Sequence, residues 1–215
     1  MNREALNISS QVYLKAGDFY RNGELALSAN DSTDQIDWFK QNYKELGMAY
    51  PKFHKMDSLS KLAVLSAEIL LDDEIKDANP GEVGVLLFNR HSSIDADSEH
   101  QKLISDRNNP MASPAVFVYT LPNIMLGEIC IRHGLHGENL CLIADEFDAE
   151  SAIVQCELMM GSGMNHVILG WVDTFHGRAK SWLTLVQNNG NAPNISQLSA
   201  PVLNELDNIP TWKHS

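Results

Sequence analysis

The segment that most constrains this chain runs from Asn139 to Met160, because it has the pattern of a strand, a sharp turn and a helix. Residues 139–144 (NLCLIA) form a short apolar run, typical of a strand covered on both faces. Residues 145–148 (DEFD) predict the turn. Apolar side chains then recur every three to four residues, as on one face of a helix. Asp148 is placed to cap that helix.

Corners of this kind often expose a nucleophile at the start of the helix, where free N–H groups and the helix dipole activate it. This corner contains no Ser, Cys or Thr and carries Asp145, Glu146 and Asp148 instead. Asp145 and Asp148 are interpreted as turn and cap residues. For Glu146 three interpretations stay open: an acid stabilised by the helix N-terminus, a general base with a pKa raised by burial, or a vestigial or specificity role at a partner's pocket.

Composition narrows the classes of partner. The 215-residue chain has 16 Lys and Arg against 28 Asp and Glu, a formal net charge of −12. This charge disfavours nucleic acid and anionic membrane surfaces as main partners. No apolar run reaches the roughly 18 residues of a membrane-spanning helix, and the N-terminus lacks the apolar core of a signal peptide. Three cysteines inside apolar segments predict a reduced, cytoplasmic protein.

Apolar runs and helical periodicities alternate along the chain. The predicted strands are residues 11–14, 83–88, 115–119, 139–144, 166–172 and 181–187. The predicted helices are a segment capped within residues 32–34 and running to Tyr43, then residues 58–71, 122–133 and 148–160. We expect a polar loop or short helix over residues 89–113, a surface loop over 188–199 and a short helix in the tail. The alternation predicts an α/β fold with a mixed, mostly parallel sheet of about five strands covered by helices.

Functional groups of such sheets gather at the carboxyl ends of the strands. In this sequence those ends are residues 89–91, 119–120, 145–146 and 173–176. His91 therefore becomes a weak catalytic candidate, as do Asp173 and His176, which we expect to form an acid–base pair if the chain is catalytic.

Residues 91–100 combine imidazoles and carboxylates, at His91, Asp95, Asp97 and His100. These side chains are metal ligands by type, but their spacing fits no standard site, so a solvated loop is favoured. We expect no metal and no cofactor. Cys130, Cys141 and Cys156 are interpreted as small core residues.

Four segments between residues 50 and 175 resemble β-ketoacyl synthases. Residues 50–68 (YPKFHKMDSLSKLAVLSAE) are similar to the segment in which a K-M-D loop leads into a core helix, and residues 83–88 (VGVLLF) to the strand after it. Residues 121–140 (LPNIMLGEICIRHGLHGENL) are similar to the family's P-N-x-x-x-G-x-x-x-I-x-x-G-L-x-G-x-N-L run. Residues 166–172 (HVILGWV) resemble the strand after the active-site helix. The resemblance implies one three-layer, thiolase-like half domain over residues 1–215.

The chain departs from that family at the catalytic residues. The position that matches the family's acylated cysteine is Glu146, while Cys141 falls inside the strand and Cys156 in mid-helix. The resemblance covers only the first of the family's two similar halves, and the other catalytic groups, two His and a Lys, come from the second. We therefore expect a domain related to 3-oxoacyl-ACP synthases, an acyltransferase class, without their nucleophile.

The resemblance implies a favoured function and an alternative. The favoured one is a non-catalytic partner subunit in fatty-acid or type II polyketide biosynthesis, comparable to chain length factors and to short proteins of aryl-polyene and flexirubin-type pathways. The alternative is an acyl-thioester enzyme, a hydrolase or decarboxylase, that uses Glu146 with His91 or His176. A basic stretch with Lys52, Lys55 and Lys61 is either a solvated face or a docking site for an acidic acyl carrier protein.

The helix over residues 148–160 adds a physical argument for a partner. Its apolar side chains Ile153, Val154, Leu158 and Met160 do not share one face. A helix that is apolar on several sides requires burial all round, and large apolar patches are rare on monomers. We expect a homodimer or a hetero-oligomer with a full-length β-ketoacyl synthase, with this helix or residues 115–119 near the contact.

Overall fold

The computed structural model describes residues 7–28, 34–105 and 113–187 of the chain. The predicted loop 188–199 and tail helix lie outside these ranges. The strands are β1 (Asn7–Lys15), β2 (Asp18–Arg21), β3 (Glu24–Leu27), β4 (Val83–Asn89), β5 (Asn139–Ile143), β6 (His166–Phe175) and β7 (Arg178–Gln187). The α-helices are α1 (Gln35–Glu45), α2 (Ser58–Leu71), α3 (Ile94–Ser105), α4 (Pro114–Val118), α5 (Ile124–His133) and α6 (Ala149–Gly161).

One sheet of seven strands organises the described residues, in the order β3-β2-β1-β7-β6-β4-β5. Strand β4 is parallel to both of its neighbours, β5 and β6, whereas the other four neighbouring pairs are antiparallel. The predicted α/β fold with a mixed sheet is confirmed. The expectation of a mostly parallel sheet of about five strands is wrong.

Three tight turns explain why the sheet is larger and less parallel than predicted. In the first, which creates the β1–β2 hairpin, Ala16 and Gly17 have φ of 53° and 89°. Asn22 and Gly23 have φ of 52° and 88°, and His176 and Gly177 have φ of 48° and 77°. Positive φ at both central residues is the signature of a type I′ hairpin turn, which reverses the chain within two residues. The other two turns create the β2–β3 and β6–β7 hairpins, so that β6 and β7 are antiparallel neighbours.

Helices cover the sheet on both faces and give the predicted three layers. Helices α2 and α5 lie on one face, and α2 begins after Asp57, whose side chain accepts a hydrogen bond from the Ser60 N–H at 3.0 Å. Helix α6 packs on the opposite face, where its Ala152 and Cys156 contact a second buried cluster. No helix within the described ranges is long and apolar enough to cross a bilayer.

Two predicted elements are corrected by the structure. Residues 115–119 were expected to form a strand, but residues 114–118 form helix α4. The reason is local: the Ser113 side chain caps the turn, and Pro114 occupies the first helical turn, where its missing N–H costs nothing. Strand β5 was expected to be covered on both faces, but it is the last strand of the sheet, and both of its end residues are exposed.

Candidate functional site at the carboxyl edge of the sheet

The corner between β5 and α6 is anchored by an aromatic side chain. Phe147 packs edge-on against Phe88 and Trp182, with ring centroids 5.0 and 5.3 Å apart. Asp148 caps α6 by accepting hydrogen bonds from the Glu150 N–H at 3.0 Å and the Ser151 hydroxyl at 2.6 Å. The Ser151 hydroxyl lowers the pKa of Asp148 below its ordinary value. The interpretation of Asp148 as the cap is confirmed.

Glu146 points away from this anchored corner. Its side chain is exposed, and it makes no hydrogen bond or ion pair with any residue that the structure describes. A general base whose pKa is raised by burial needs an enclosed carboxylate, so the geometry here does not support that interpretation of Glu146. Asp145, which precedes it, is exposed as well.

The three cysteines pack in or against the two buried clusters. Burial raises the pKa of the Cys156 thiol to about 12 and that of Cys141 to about 11. Burial also raises the pKa of Cys130 above its ordinary value. Because the thiolate is the reactive form, thiols with raised pKa values are inert at neutral pH.

The structure joins His91 to Asp173 at the ends of two neighbouring parallel strands. His91 Nδ1 lies 2.6 Å from Asp173 Oδ2. The other carboxylate oxygen of Asp173 accepts hydrogen bonds from the backbone N–H groups of Arg90 and His91, at 3.2 and 2.9 Å. The side chain of Asp173 is only 10% exposed, whereas that of His91 is 29% exposed. The pair therefore consists of a fixed, buried carboxylate and an imidazole that reaches solvent.

Asn89 and Phe175 support this pair, and the sequence did not single out either residue. The Asn89 amide donates to the Val172 carbonyl at 2.8 Å, and its side-chain oxygen accepts from the Ser92 N–H. The ring of Phe175 stacks on that of His91, with centroids 4.1 Å apart and planes 12° apart. One sequence signal pointed to Asn89, since it is a polar residue that ends an otherwise apolar strand.

The predicted pairing of Asp173 with His176 is wrong. The His176 backbone N–H lies 3.2 Å from each carboxylate oxygen of Asp95, and its Nδ1 lies 3.4 Å from one of them. The β6–β7 turn places residue 176 beyond the end of the strand, where its side chain is 60% exposed. His100 contacts the ring of Phe117 instead of joining a ligand cluster. The described ranges contain no group of three or more His, Cys, Asp or Glu arranged to hold a metal.

The three candidate lysines have different surroundings. Lys52 forms an ion pair at 2.7 Å with Glu128, which is buried. Lys61 lies over the ring of Phe39 at 5.7 Å, and burial lowers its pKa despite the nearby carboxylates of Asp57 and Glu99. Lys55 is exposed.

Comparison with known proteins identifies the fold. No protein-family profile matches the sequence, and no curated protein does. Solved structures match over most of the chain. The ishigamide ketosynthase/chain length factor superposes with a TM-score of 0.64 at 16% identity, over 88% of this chain and 64% of that one. The fold is that of ketosynthases and chain length factors.

Two further structures carry the same architecture. A ketosynthase in complex with its chain length factor from Xenorhabdus doucetiae matches with a TM-score of 0.56 at 13% identity, over 87% of this chain and 80% of that one. A type II polyketide synthase acyl carrier protein in complex with its ketosynthase gives a TM-score of 0.58 at 11% identity, over 87% of this chain and 63% of that one. The ketosynthase-like, thiolase-like fold expected from the resemblance is confirmed.

Proposed function

We propose that this protein is a ketosynthase-like partner subunit, non-catalytic in chain condensation, that associates with a full-length β-ketoacyl synthase in fatty-acid or type II polyketide biosynthesis. An aryl-polyene type of pathway is the more specific setting that we favour. The proposal is supported by the fold it shares with ketosynthases and chain length factors, and by the exposed Glu146 at the position of the family's nucleophile. The observation that carries it is the surface around strand β5.

Strand β5 lies at one edge of the sheet, so one side of its backbone has no neighbouring strand among the described residues. Exposed apolar side chains come from this strand and from the helices that cover the two faces of the sheet. Ile131 of α5 is 62% exposed, Ile143 of β5 is 51% exposed and Leu158 of α6 is 61% exposed. Open strand edges with apolar surroundings are prone to pair with another chain unless a partner covers them. We call these three residues the β5-edge surface.

Helix α6 is apolar on both its inner and its outer side. Its Ala152 and Cys156 are buried against the sheet, whereas Val154 and Leu158 remain exposed. Helix α4 is also apolar on its outer side, where Phe117 is 54% exposed. The described chain thus covers only one side of α6, which supports a partner in contact with the other.

The alternative acyl-thioester enzyme built on Glu146 has weaker support. It requires Glu146 to meet His91 or His176, but Glu146 is exposed and has no hydrogen-bond partner among the described residues. An acyl carrier protein is a second partner that we propose, with exposed Lys55 as its first contact. Lys52 is less available because it neutralises Glu128.

The test is copurification with a full-length ketosynthase from the same organism, followed by a binding titration. Charge substitutions on the β5-edge surface, Ile143→Lys and Leu158→Glu, are expected to weaken binding at least tenfold, because they place a charge in an apolar contact. Ile36→Glu on α1 and Leu25→Glu on β3 are matched controls, since these side chains are 61% and 57% exposed but lie on α1 and on the opposite edge strand. A chain that stays monomeric and binds no ketosynthase would overturn the proposal.

A further inference from the structure

The His91–Asp173 pair is not used by a partner-subunit role, and its geometry is that of a base. Asp173 accepts two backbone N–H groups through Oδ1, and its Oδ2 lies 2.6 Å from His91 Nδ1. A carboxylate accepts hydrogen bonds and does not donate them. In the contact between Asp173 Oδ2 and His91 Nδ1, the proton is therefore carried by Nδ1. In the neutral imidazole, Nε2 then carries the lone pair.

The orientation of the His91 ring is fixed by more than this hydrogen bond. Phe175 stacks on one face, with its plane only 12° from that of the imidazole. The backbone N–H of His91 is itself bound to Asp173, so main chain and side chain are held by the same carboxylate. The side chain is 29% exposed, and Nε2 makes no hydrogen bond with a described residue. The acceptor nitrogen is therefore held in place and left open.

Ser92, which follows His91, has φ of 55°, in the left-handed region that non-glycine residues rarely adopt. The Asn89 side chain holds its N–H in this conformation. Backbone of this kind is costly and persists where the surrounding structure enforces it.

We infer that His91 and Asp173 form a general-base pair that activates water for attack on the carbonyl of an acyl ester or thioester. Water is the nucleophile because no thiol or hydroxyl of a described residue hydrogen-bonds to Nε2, and the Ser93 hydroxyl donates to the Thr120 carbonyl at 2.5 Å. Nε2 takes a proton from water as its oxygen bonds to the carbonyl carbon. The carbon–sulfur or carbon–oxygen bond breaks, and Nε2 returns the proton to the leaving group. The products are a carboxylic acid and a thiol or alcohol.

Charged groups of both signs surround the pair. Asp173 stabilises the imidazolium that forms and does not become protonated itself. Lys180 is the cross-strand neighbour of Asp173, and Arg90 precedes His91. Asp95 lies with His176 on the far side of Phe175. The inference does not depend on the partner role, because the pair is complete within this chain.

The probes are p-nitrophenyl acetate and S-acetyl-N-acetylcysteamine, hydrolysed by the full chain between pH 5 and 9. We expect a rate that rises with pH to a plateau, and a loss of about 100-fold in His91→Gln, within the usual contribution of a general base. Asp173→Asn keeps an acceptor for the two N–H groups but offers an amide donor to Nδ1. This moves the imidazole proton to Nε2, and we expect at least a tenfold loss. His136→Gln is the matched control and should leave the rate unchanged, because His136 is exposed and precedes the amino end of β5, away from the pair.

Nitrogen NMR of the imidazole provides a readout that does not depend on the probe. The wild-type protein should show His91 protonated at Nδ1 at neutral pH, and Asp173→Asn should lose that preference. Equal hydrolysis by wild type and His91→Gln would overturn the inference. So would protonation at Nε2 in the wild type, or a covalent acyl adduct by mass spectrometry. Thermal unfolding of each variant shows whether a lower hydrolysis rate comes from the loss of the base or from unfolding of the protein.

Discussion

Lys52 Nζ lies 2.7 Å from a carboxylate oxygen of Glu128, although the lysine is 43% exposed and the glutamate only 3% exposed. The loop that carries Lys52 thus reaches over α5 and neutralises a buried acid. Tyr119 donates a second hydrogen bond to Glu128 at 3.2 Å. A buried charge requires such partners, since an unpaired carboxylate in the core costs several kcal/mol. Lys52 is therefore a structural residue, whatever it contacts outside the chain.

Lys52→Ala is expected to destabilise the protein. Glu128 would stay buried without its cation, and the expected loss is about 1–3 kcal/mol in the free energy of unfolding. Lys55→Ala is the matched control, because Lys55 is exposed and the change should stay within about 0.5 kcal/mol. Urea unfolding monitored by tryptophan fluorescence measures both variants. Equal midpoints for the two variants would show that Glu128 does not depend on Lys52.

Tyr119 predicts a loss of stability in alkaline solution. Burial, followed by the charge of Glu128, raises the pKa of its hydroxyl well above the ordinary 10.0. Because the folded pKa exceeds the unfolded one, stability is complete below pH 10 and falls as the pH rises through the folded value. In Tyr119→Phe, the urea midpoint of unfolding should decrease less between pH 9 and 11 than it does in the wild type. Burial also raises the pKa of Tyr50, so part of the slope should remain. An unchanged slope in Tyr119→Phe would contradict the prediction.

The Ser66 and Ser181 hydroxyls join α2 to β7 and predict unequal effects of two similar substitutions. Their oxygens lie 2.6 Å apart in the core, and Ser66 also donates to the Leu62 carbonyl at 2.9 Å. Ser181→Ala leaves Ser66 bonded to Leu62, whereas Ser66→Ala leaves the Ser181 hydroxyl buried without a partner. We expect a loss of about 1 kcal/mol for Ser181→Ala and about 1–3 kcal/mol for Ser66→Ala.

The double variant provides the control for this prediction. Removing both hydroxyls leaves no unpaired polar atom, so the double variant should cost less than the two single changes added together. Denaturant unfolding of the three variants measures the coupling. An additive double variant would mean that the two hydroxyls do not interact.

Local signals in the sequence predicted the elements that depend on neighbouring residues. Helix α2 was predicted with its observed bounds, since Asp57 caps it and its apolar side chains recur without a break. Residues 115–119 were misassigned because strand-forming Val and Phe outweighed the Ser113–Pro114 start signal. Strand β5 was predicted to be buried because its five residues are mostly apolar, a pattern that does not reveal an open edge.

The candidate site depended on contacts that spacing along the chain does not encode. His91 and Asp173 are 82 positions apart and meet only because β6 lies beside β4 in the sheet. The sequence placed both residues at strand ends but paired Asp173 with His176, its neighbour along the chain. The order of the strands brings His91 to Asp173, and this order follows from the packing of the whole sheet.

Two glycines are expected to respond in opposite directions to alanine. A methyl group at Gly170 of β6 would overlap the backbone carbonyl of Trp182 and the side chain of Leu183 on β7. Gly170→Ala should therefore cost about 1–3 kcal/mol through overpacking. Gly127 of α5 has open space around its missing Cβ, so Gly127→Ala should stabilise the helix by about 0.5–1 kcal/mol. Thermal unfolding of both variants tests this prediction. Unfolding temperatures that shift in the same direction in Gly170→Ala and Gly127→Ala would contradict it.

His133, at the end of α5, predicts a loss of stability in mild acid. Its side chain is 15% exposed, and burial lowers its pKa below the ordinary 6.5. Glu68 lies 3.6 Å away and opposes this shift, but Arg132 already binds both of its carboxylate oxygens at 2.5 and 2.9 Å. Because the folded pKa is depressed, stability is complete above pH 6.5 and falls as the pH drops through the folded value.

His133→Gln should reduce this acid sensitivity, measured as the change in urea midpoint between pH 7.5 and 5.5. His54→Gln is the matched control, because His54 lies on the surface. Burial also lowers the pKa of His166, so a second contribution should persist in the His133 variant. If His133→Gln and the wild type lose the same stability over this range, the folded protein accepts a proton at His133 without penalty. Glu68 would then stabilise the imidazolium despite its two bonds to Arg132.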